Sequence, residues 1–373
     1  MKAAKARLLI TLEDADDPCV RNAGIKVDGG KKADTNQSVK EAKQKLKEEQ
    51  VAGIPNRGRE GLGLRPRKYF DGSSRKERRT MIVEKVREKE EDRRTVKMTG
   101  LAKQGGHLRW EVPARKVSAR DLVMMPEERL KFIVKSVYDL LPTPQNKSMW
   151  FGEDAACKQC GERGTLTHIL SGCRAALTAG KYKWRHDQVL REIAQSVEER
   201  RRSNNAAPRE KEGRKIEFIK PGEKKKKKRE TQQPLKSYLD GAGDWSMQVD
   251  LDGKLKVPEK VAETNLRPDM ILLSESTKRM GIVELTVPSE ERIEVSGELK
   301  REKYARIEAE GRRRGWVVRT WAVEVGCRGF PAASMATFLK DIGIGGNERK
   351  KALRRIGETA EGCSKTIWKW SCM

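Results

Sequence analysis

The chain has 373 residues and a formal net charge of +26, with 36% charged and 36% hydrophobic residues. That length admits two or three domains, but a charged fraction well above the roughly 25% of an ordinary domain leaves part of the chain solvated. A polyanion relieves such an excess of charge; no apolar run nears the ~18–20 residues that span a bilayer, and no basic helix carries an aromatic face, so nucleic acid is the expected partner and a membrane is not. The start, "MKAAKARLLITL", has too short an apolar stretch for a signal peptide, and "EDADD" follows at once. Of seven cysteines, three fall within 157–173 and the others are scattered. That is no disulfide framework and points to a reducing compartment with a metal site.

Residues 1–125 read as helices separated by basic loops. "NQSVKEAKQKLKEEQ" (36–50) is rich in helix formers. "SSRKERRTMIVEKVREKEEDRR" offers Ser74 as an N-cap and a thin apolar stripe of Met81, Ile82, Val83 and Val86. "PEERLKFIVKSVYDLLPTP" (126–144) predicts a helix between Pro126 and Pro142, with Leu130, Ile133, Val134, Val137 and Leu141 on its core face.

"CKQCGERGTLTHILSGC" follows and spells C-x2-C-x7-H-x4-C over Cys157, Cys160, His168 and Cys173. A two-residue gap lets two thiolates reach one ion from a tight turn, which Gly161 permits. His168 and Cys173 lie about one helical turn apart, and Gly172 can end that turn. Three thiolates and one imidazole make a closed tetrahedral zinc site, which is structural because no position is open to a substrate. The competing reading is buried core cysteines beside an incidental histidine. "GKYKWRHD" then interleaves Tyr182 and Trp184 with Lys181, Lys183, Arg185 and His186. Such a pattern suits stacking on unpaired bases with phosphate contact, and equally suits aromatics that cap the small core of a zinc module.

Residues 200–236 read as a linker, with six consecutive basic residues at 224–229. The block is a nuclear localisation signal, a phosphate-binding tether or a plain solvated segment. Beyond it, "WSMQVDL" alternates as a strand, "DMILLSE" and "GIVELTV" are short β-favouring runs, "ELKREKYARIEAEGRR" is helical, "WVVRTWAVEVG" is again β-rich, and "AASMATFLKDIG" returns to helix. The expected fold class is multidomain α+β: a helical basic region (1–125), a helix plus zinc module (126–199), a linker (200–236) and an α/β domain (237–373).

"RPDMILLSESTKRMGIVELTV" puts Asp269 at the head of one strand and Glu284 inside the next. If the two runs form a hairpin, both carboxylates meet at one edge and can share Mg²⁺, a hard cation that takes oxygen ligands. Lys300, Lys303 and Tyr304 share a helix face at i, i+3 and i+4, close enough in sequence to fold back over the hairpin. Asp250, Glu259 and Glu263 are candidates for a third acid, and Glu324 either faces the site or pairs with Arg319. Taken singly, an Asp after Pro is more often turn chemistry.

This arrangement resembles the PD-(D/E)xK nucleases of restriction-enzyme-like fold, with Thr286 where their lysine usually stands. The order of parts resembles the C-terminal portion of LINE-type (non-LTR) retrotransposon polyproteins that carry a restriction-like endonuclease after the reverse transcriptase. In that family the lysine is displaced to a "K..KY" element, here Lys300, Lys303 and Tyr304. The resemblance implies a catalytic Mg²⁺ at Asp269 and Glu284, a structural zinc, and nuclear nicking of a DNA target whose released 3′-hydroxyl primes copying of the element's RNA. It also implies nucleic-acid contacts from Tyr182, Trp184, Arg185, His186 and Arg267. Residues 1–110 would then resemble the end of the polymerase thumb and the linker after it. "EDADDP" (13–18) lacks the apolar strand that precedes a polymerase Asp-Asp turn, so no reverse transcriptase active site is expected. The alternative is a catalytically inactive zinc-containing DNA- and RNA-binding fragment of a truncated element.

Overall fold

The computed structural model describes residues 7, 11, 15–18, 73–101, 104–110, 117, 119–207 and 237–372, and the chain divides into two compact units, Met1–Leu108 and Arg109–Met373. The helix expected over 36–50, the segment 13–14 and the basic run at 224–229 lie outside the described residues. In the first unit, α1 (Arg75–Thr99) starts as its sequence predicts. Ser74 caps it, and Glu77 returns the bond to the Ser74 backbone in a capping box. Only Ile82 and Val86, four residues apart, are buried on it.

The second unit opens with α2 (Ala119–Met124), α3 (Glu127–Val137) and α4 (Pro144–Phe151). α3 ends about a turn earlier than expected, at Val137, two residues before Asp139, which takes a left-handed φ of 51°. Its buried side is Phe132, Ile133 and Ser136, whereas Val134 is exposed. The core face is therefore rotated from the predicted stripe, because Phe132 packs with Leu141, Leu166, Ile169 and Leu170. A π-helical turn (His168–Gly172), α5 (Arg174–Thr178) and α6 (Lys181–Ala206) follow.

α6 extends through residues expected to be linker. Arg201 donates to the Trp245 carbonyl (2.6 Å), and the Asn204 amide donates to the carbonyls of Leu239 (3.0 Å) and Ala242 (2.8 Å). These bonds hold polar residues in helix to Ala206.

One four-stranded mixed sheet carries the rest, in the order β1 (Ser246–Val249), β2 (Met270–Ser274), β3 (Arg279–Thr286), β4 (Val317–Glu324). β1–β2 and β2–β3 are antiparallel, and β3–β4 is parallel. A parallel pair needs a crossover, which α7 (Ile293–Arg313) supplies. α8 (Ala333–Asp341) and α9 (Gly346–Cys372) complete the unit. Side chains alternate across the sheet. Ile271, Met280 and Ile282 face α7 with Tyr304, Ile307 and Trp316. Met270, Leu272, Val283, Leu285 and Val323 face α6, α8 and α9.

Among the described residues, Val189, Leu190, Ile193 and Val197 of α6 belong to the same core as the sheet. A buried ion pair adds to this fusion. Arg328 Nη1 lies 2.5 Å from Glu290 Oε2, while Arg328 Nε donates to the Ser136 carbonyl of α3 (3.1 Å).

Candidate functional site

The ligand atoms of Cys157, Cys160, His168 and Cys173 all lie within 4.8 Å of one another. Cys157 Sγ is 4.0 Å from Cys173 Sγ, and Cys160 Sγ is 3.2 Å from His168 Nε2. Tetrahedral zinc at ordinary bond lengths sets such separations at about 3.5–3.8 Å, so the four residues fit the ion. The first pair is presented by a tight turn in which Gly161 N–H donates to the Cys157 carbonyl (2.8 Å) and Gly161 takes a φ of 74°. Burial opposes charge on Cys157, but N–H groups of Gln159 and Cys160 aimed at its sulfur outweigh that and hold its thiol below the ordinary range. Behind the histidine, Glu162 Oε2 lies 3.6 Å from Nδ1. That is longer than a hydrogen bond, and the other oxygen of Glu162 pairs with Arg174 at 3.2 Å, so the carboxylate adds negative charge near the imidazole without bonding it.

The aromatic and basic residues after the cluster turn inward. The Tyr182 hydroxyl accepts from Cys173 N–H (3.0 Å) and lies 2.8 Å from the Ile169 carbonyl, capping the cluster's loop. Trp184 packs on Trp370 of α9 with ring centroids 5.4 Å apart. Arg185 is buried, and its guanidinium donates to the Leu170 carbonyl (2.8 Å), Ser364 Oγ (2.9 Å) and the Val287 carbonyl (2.9 Å). Its expected contact with a phosphate is thereby corrected: a guanidinium buried in the core, with both terminal nitrogens bonded there, does not reach a ligand outside. Between the two weighed readings of Tyr182 and Trp184, the capping one describes their contacts. His186 is turned toward the sheet, with Nε2 3.3 Å from Asp269 Oδ2 and Nδ1 3.2 Å from Asp187 Oδ1. Burial disfavours its charge, but the two carboxylates prevail and raise its pKa. Arg267 stays exposed and donates to the Gly253 carbonyl.

The two β-favouring runs form an antiparallel hairpin, as their sequence suggests. β2 and β3 pair with Met270 opposite Val283, so one step further places Asp269 opposite Glu284. Asp269 Oδ2 accepts the Leu285 N–H (2.7 Å). Glu284 belongs by alternation to the α7 face, which brings the basic residues over it. Lys300 Nζ pairs with Glu284 Oε1, Lys303 Nζ lies 3.5 Å from the same oxygen, and the Tyr304 hydroxyl donates to Glu284 Oε2 at 2.8 Å. Burial, then the charges of Glu284 and Asp269, push the Tyr304 phenol well above its usual range and keep it protonated as a donor.

The third-acid candidates are engaged elsewhere. Asp250 Oδ1 accepts N–H bonds from Asp252, Gly253 and Lys254 and Oδ2 from Leu255, closing its loop. Glu263 pairs with Arg314 at 3.0 Å, and Glu259 is exposed. Arg319 pairs with Asp341 and not with Glu324. Glu324 is buried on the Glu284 face of the sheet, takes a bond from Ser334, and lies so close to α7 that a Cβ at Gly297 would strike its carboxyl.

No helix among the described residues is long and apolar enough to cross a membrane. No protein-family model matches the chain, and no curated protein matches it.

Proposed function

We propose that the chain is a nucleic-acid-binding protein whose C-terminal α/β region is a Mg²⁺-dependent DNA-nicking endonuclease of restriction-like fold, as in LINE-type retrotransposon polyproteins. The observation that carries this reading is the convergence of Lys300, Lys303 and Tyr304 on Glu284, 16 to 20 residues earlier in the chain, at the end of β2 and β3 where Asp269 faces Glu284 across the hairpin. Asp269 and Glu284 would hold the ion. Bound Mg²⁺ polarises a scissile phosphate and lowers the pKa of an attacking water. Lys300 and Lys303 bring positive charge to the phosphate being cleaved, and Tyr304 orients Glu284 by its hydrogen bond. The basic surface supplies backbone contacts to the DNA target and to the element's RNA. The cysteine cluster takes a structural zinc. The reading also puts the protein in the nucleus, where the nick would prime reverse transcription of the element's RNA.

A second reading has its own support. Glu284 is only 3% exposed, and both its oxygens are engaged by Lys300, Lys303 and Tyr304. A fully neutralised acid also suits a folded, inactive DNA- and RNA-binding relic. The deciding experiment incubates zinc-loaded protein with supercoiled plasmid and Mg²⁺, beside Asp269→Asn and Glu284→Gln. Relaxed circles from the parent alone establish the nuclease. Intact gel-shift binding without relaxation leaves the binding protein.

A further inference from the structure

The cysteine cluster and the acid pair are joined by a short mechanical path. α6 begins at Lys181, one residue after Gly180, whose φ of 69° turns the chain out of α5. In its first turn the Tyr182 hydroxyl is held by the loop of the cluster, through Cys173 N–H and the carbonyls of His168 and Ile169. Residues four apart share a helix face. One turn on from Tyr182 is His186, whose Nε2 meets Asp269 Oδ2. Arg185 pins the same turn, between Leu170 beside the cluster and Val287 just past β3. The Leu285 N–H bonds that same Asp269 oxygen, so both contacts fall on Oδ2. Asp187 holds the far side of the imidazole.

We propose that His186 is a positioning residue for the Asp269 carboxylate, and that the cysteine cluster sets its place through the first turn of α6, so that zinc at the cluster controls cation binding at the acid pair. The inference rests on the nuclease reading of Asp269 and Glu284. Partners that orient metal-binding carboxylates and imidazoles typically account for 10–100-fold in metal affinity, and that is the scale expected here.

The test uses the full zinc-loaded chain, with Mn²⁺ as the probe, followed by electron paramagnetic resonance and by Mg²⁺ titration of nicking. His186→Ala raises the Mn²⁺ half-saturation by about ten- to a hundredfold, with Mg²⁺ half-saturation moving in parallel. His186→Gln, which keeps an N–H donor, recovers most of that loss. Tyr182→Phe leaves every cysteine in place and weakens Mn²⁺ binding in the same direction by a smaller factor, with circular dichroism confirming the fold. Withdrawing zinc from the parent weakens Mn²⁺ binding, yet adds little in His186→Ala, because both act on one path. Unchanged or tighter Mn²⁺ binding in His186→Ala overturns the positioning role while the parent still nicks. Full additivity of zinc withdrawal and His186→Ala overturns the link to the cluster. A parent that neither binds Mn²⁺ nor nicks overturns the nuclease reading itself.

Discussion

The cysteine cluster and the acid pair lie in one unit and are built by opposite means. The cluster takes all four ligands from 17 consecutive residues, and local turns alone present them. The acid pair takes its groups from α6, β2, β3 and α7, and only the fold brings them together. The cluster's ligand atoms face one another, and a metal is what would reconcile them. The acid pair already has its counter-charges in two lysines. The first site has the ligand set that could hold an ion, whereas the second is neutralised by side chains of the fold itself.

Metal removal separates the two most sharply. Structural zinc sites contribute on the order of ten kcal/mol to the folding of isolated small modules. Here the module shares its core with the rest of the unit, so only part of that is expressed. Chelation of zinc, or Cys173→Ser, is expected to lower the melting midpoint by roughly 10 °C or more, at about 2–4 °C per kcal/mol. Removal of Mg²⁺ is expected to leave the midpoint nearly unchanged. Calorimetry with zinc stoichiometry by elemental analysis reads both.

The next contrast sets two glutamates against each other. Glu284→Gln leaves Lys300 and Lys303 with side chains 29% and 37% exposed, free to turn to water. Its stability cost is expected at about 1 kcal/mol or less, and its nicking rate falls by roughly a thousandfold, the several kcal/mol of a lost metal ligand. Glu290→Gln does the reverse. Its partner Arg328 is 5% exposed and keeps an uncompensated charge in the core. About 3–5 kcal/mol of stability is lost, seen as a lower urea midpoint, while nicking per folded molecule is retained.

The same difference explains what could be read from the sequence. The cluster was legible because its spacing is its geometry. The acid pair was legible because two β-favouring runs with a short polar join imply a hairpin, and the observed register places residue 269 opposite residue 284. The "K..KY" triad was legible from helical periodicity. His186 and Asp269 are 83 positions apart, and no local pattern encodes a contact made by docking α6 against the sheet. Aromatics interleaved with basic residues read alike whether they face solvent or the core, so Arg185 was assigned to a phosphate and is buried instead. For the same reason the "RRR" run at 200–202 reads as linker, although Arg201 is anchored on Trp245.

Arg185 and Arg267 give a smaller and cleaner test of that ambiguity. Arg185→Met strands the Leu170 and Val287 carbonyls and is expected to cost about 2–4 kcal/mol. The salt dependence of DNA binding by the folded protein stays the same. Arg267→Ala, at the surface, leaves stability unchanged and lowers the slope of log K against log salt by about one, the signature of a single lost phosphate contact. The pair of slopes from filter binding distinguishes a core arginine from a surface one.

The smallest effect belongs to Glu324, which shares the sheet face of Glu284 but not its lysines. Burial raises its carboxyl above the ordinary value of 4.5, and the bond from Ser334 and the charge of Arg301 only partly offset this. A group whose folded-state pKa is raised binds its proton more tightly in the native state. Its favourable contribution is therefore complete below the ordinary value and is lost as pH rises through the raised one. Glu324→Gln keeps the shape of the neutral form and removes that loss. Urea midpoints measured from about pH 4 to 8 should coincide for parent and variant at the acid end, with the variant above the parent at neutral pH. One oxygen, Oε1, has no hydrogen-bond partner among the described residues, so the charged form is the costly one. A variant that tracks the parent at every pH but loses nicking would instead move Glu324 into the acid site, and the contrast between a neutralised functional acid and an unneutralised structural one would have to be redrawn.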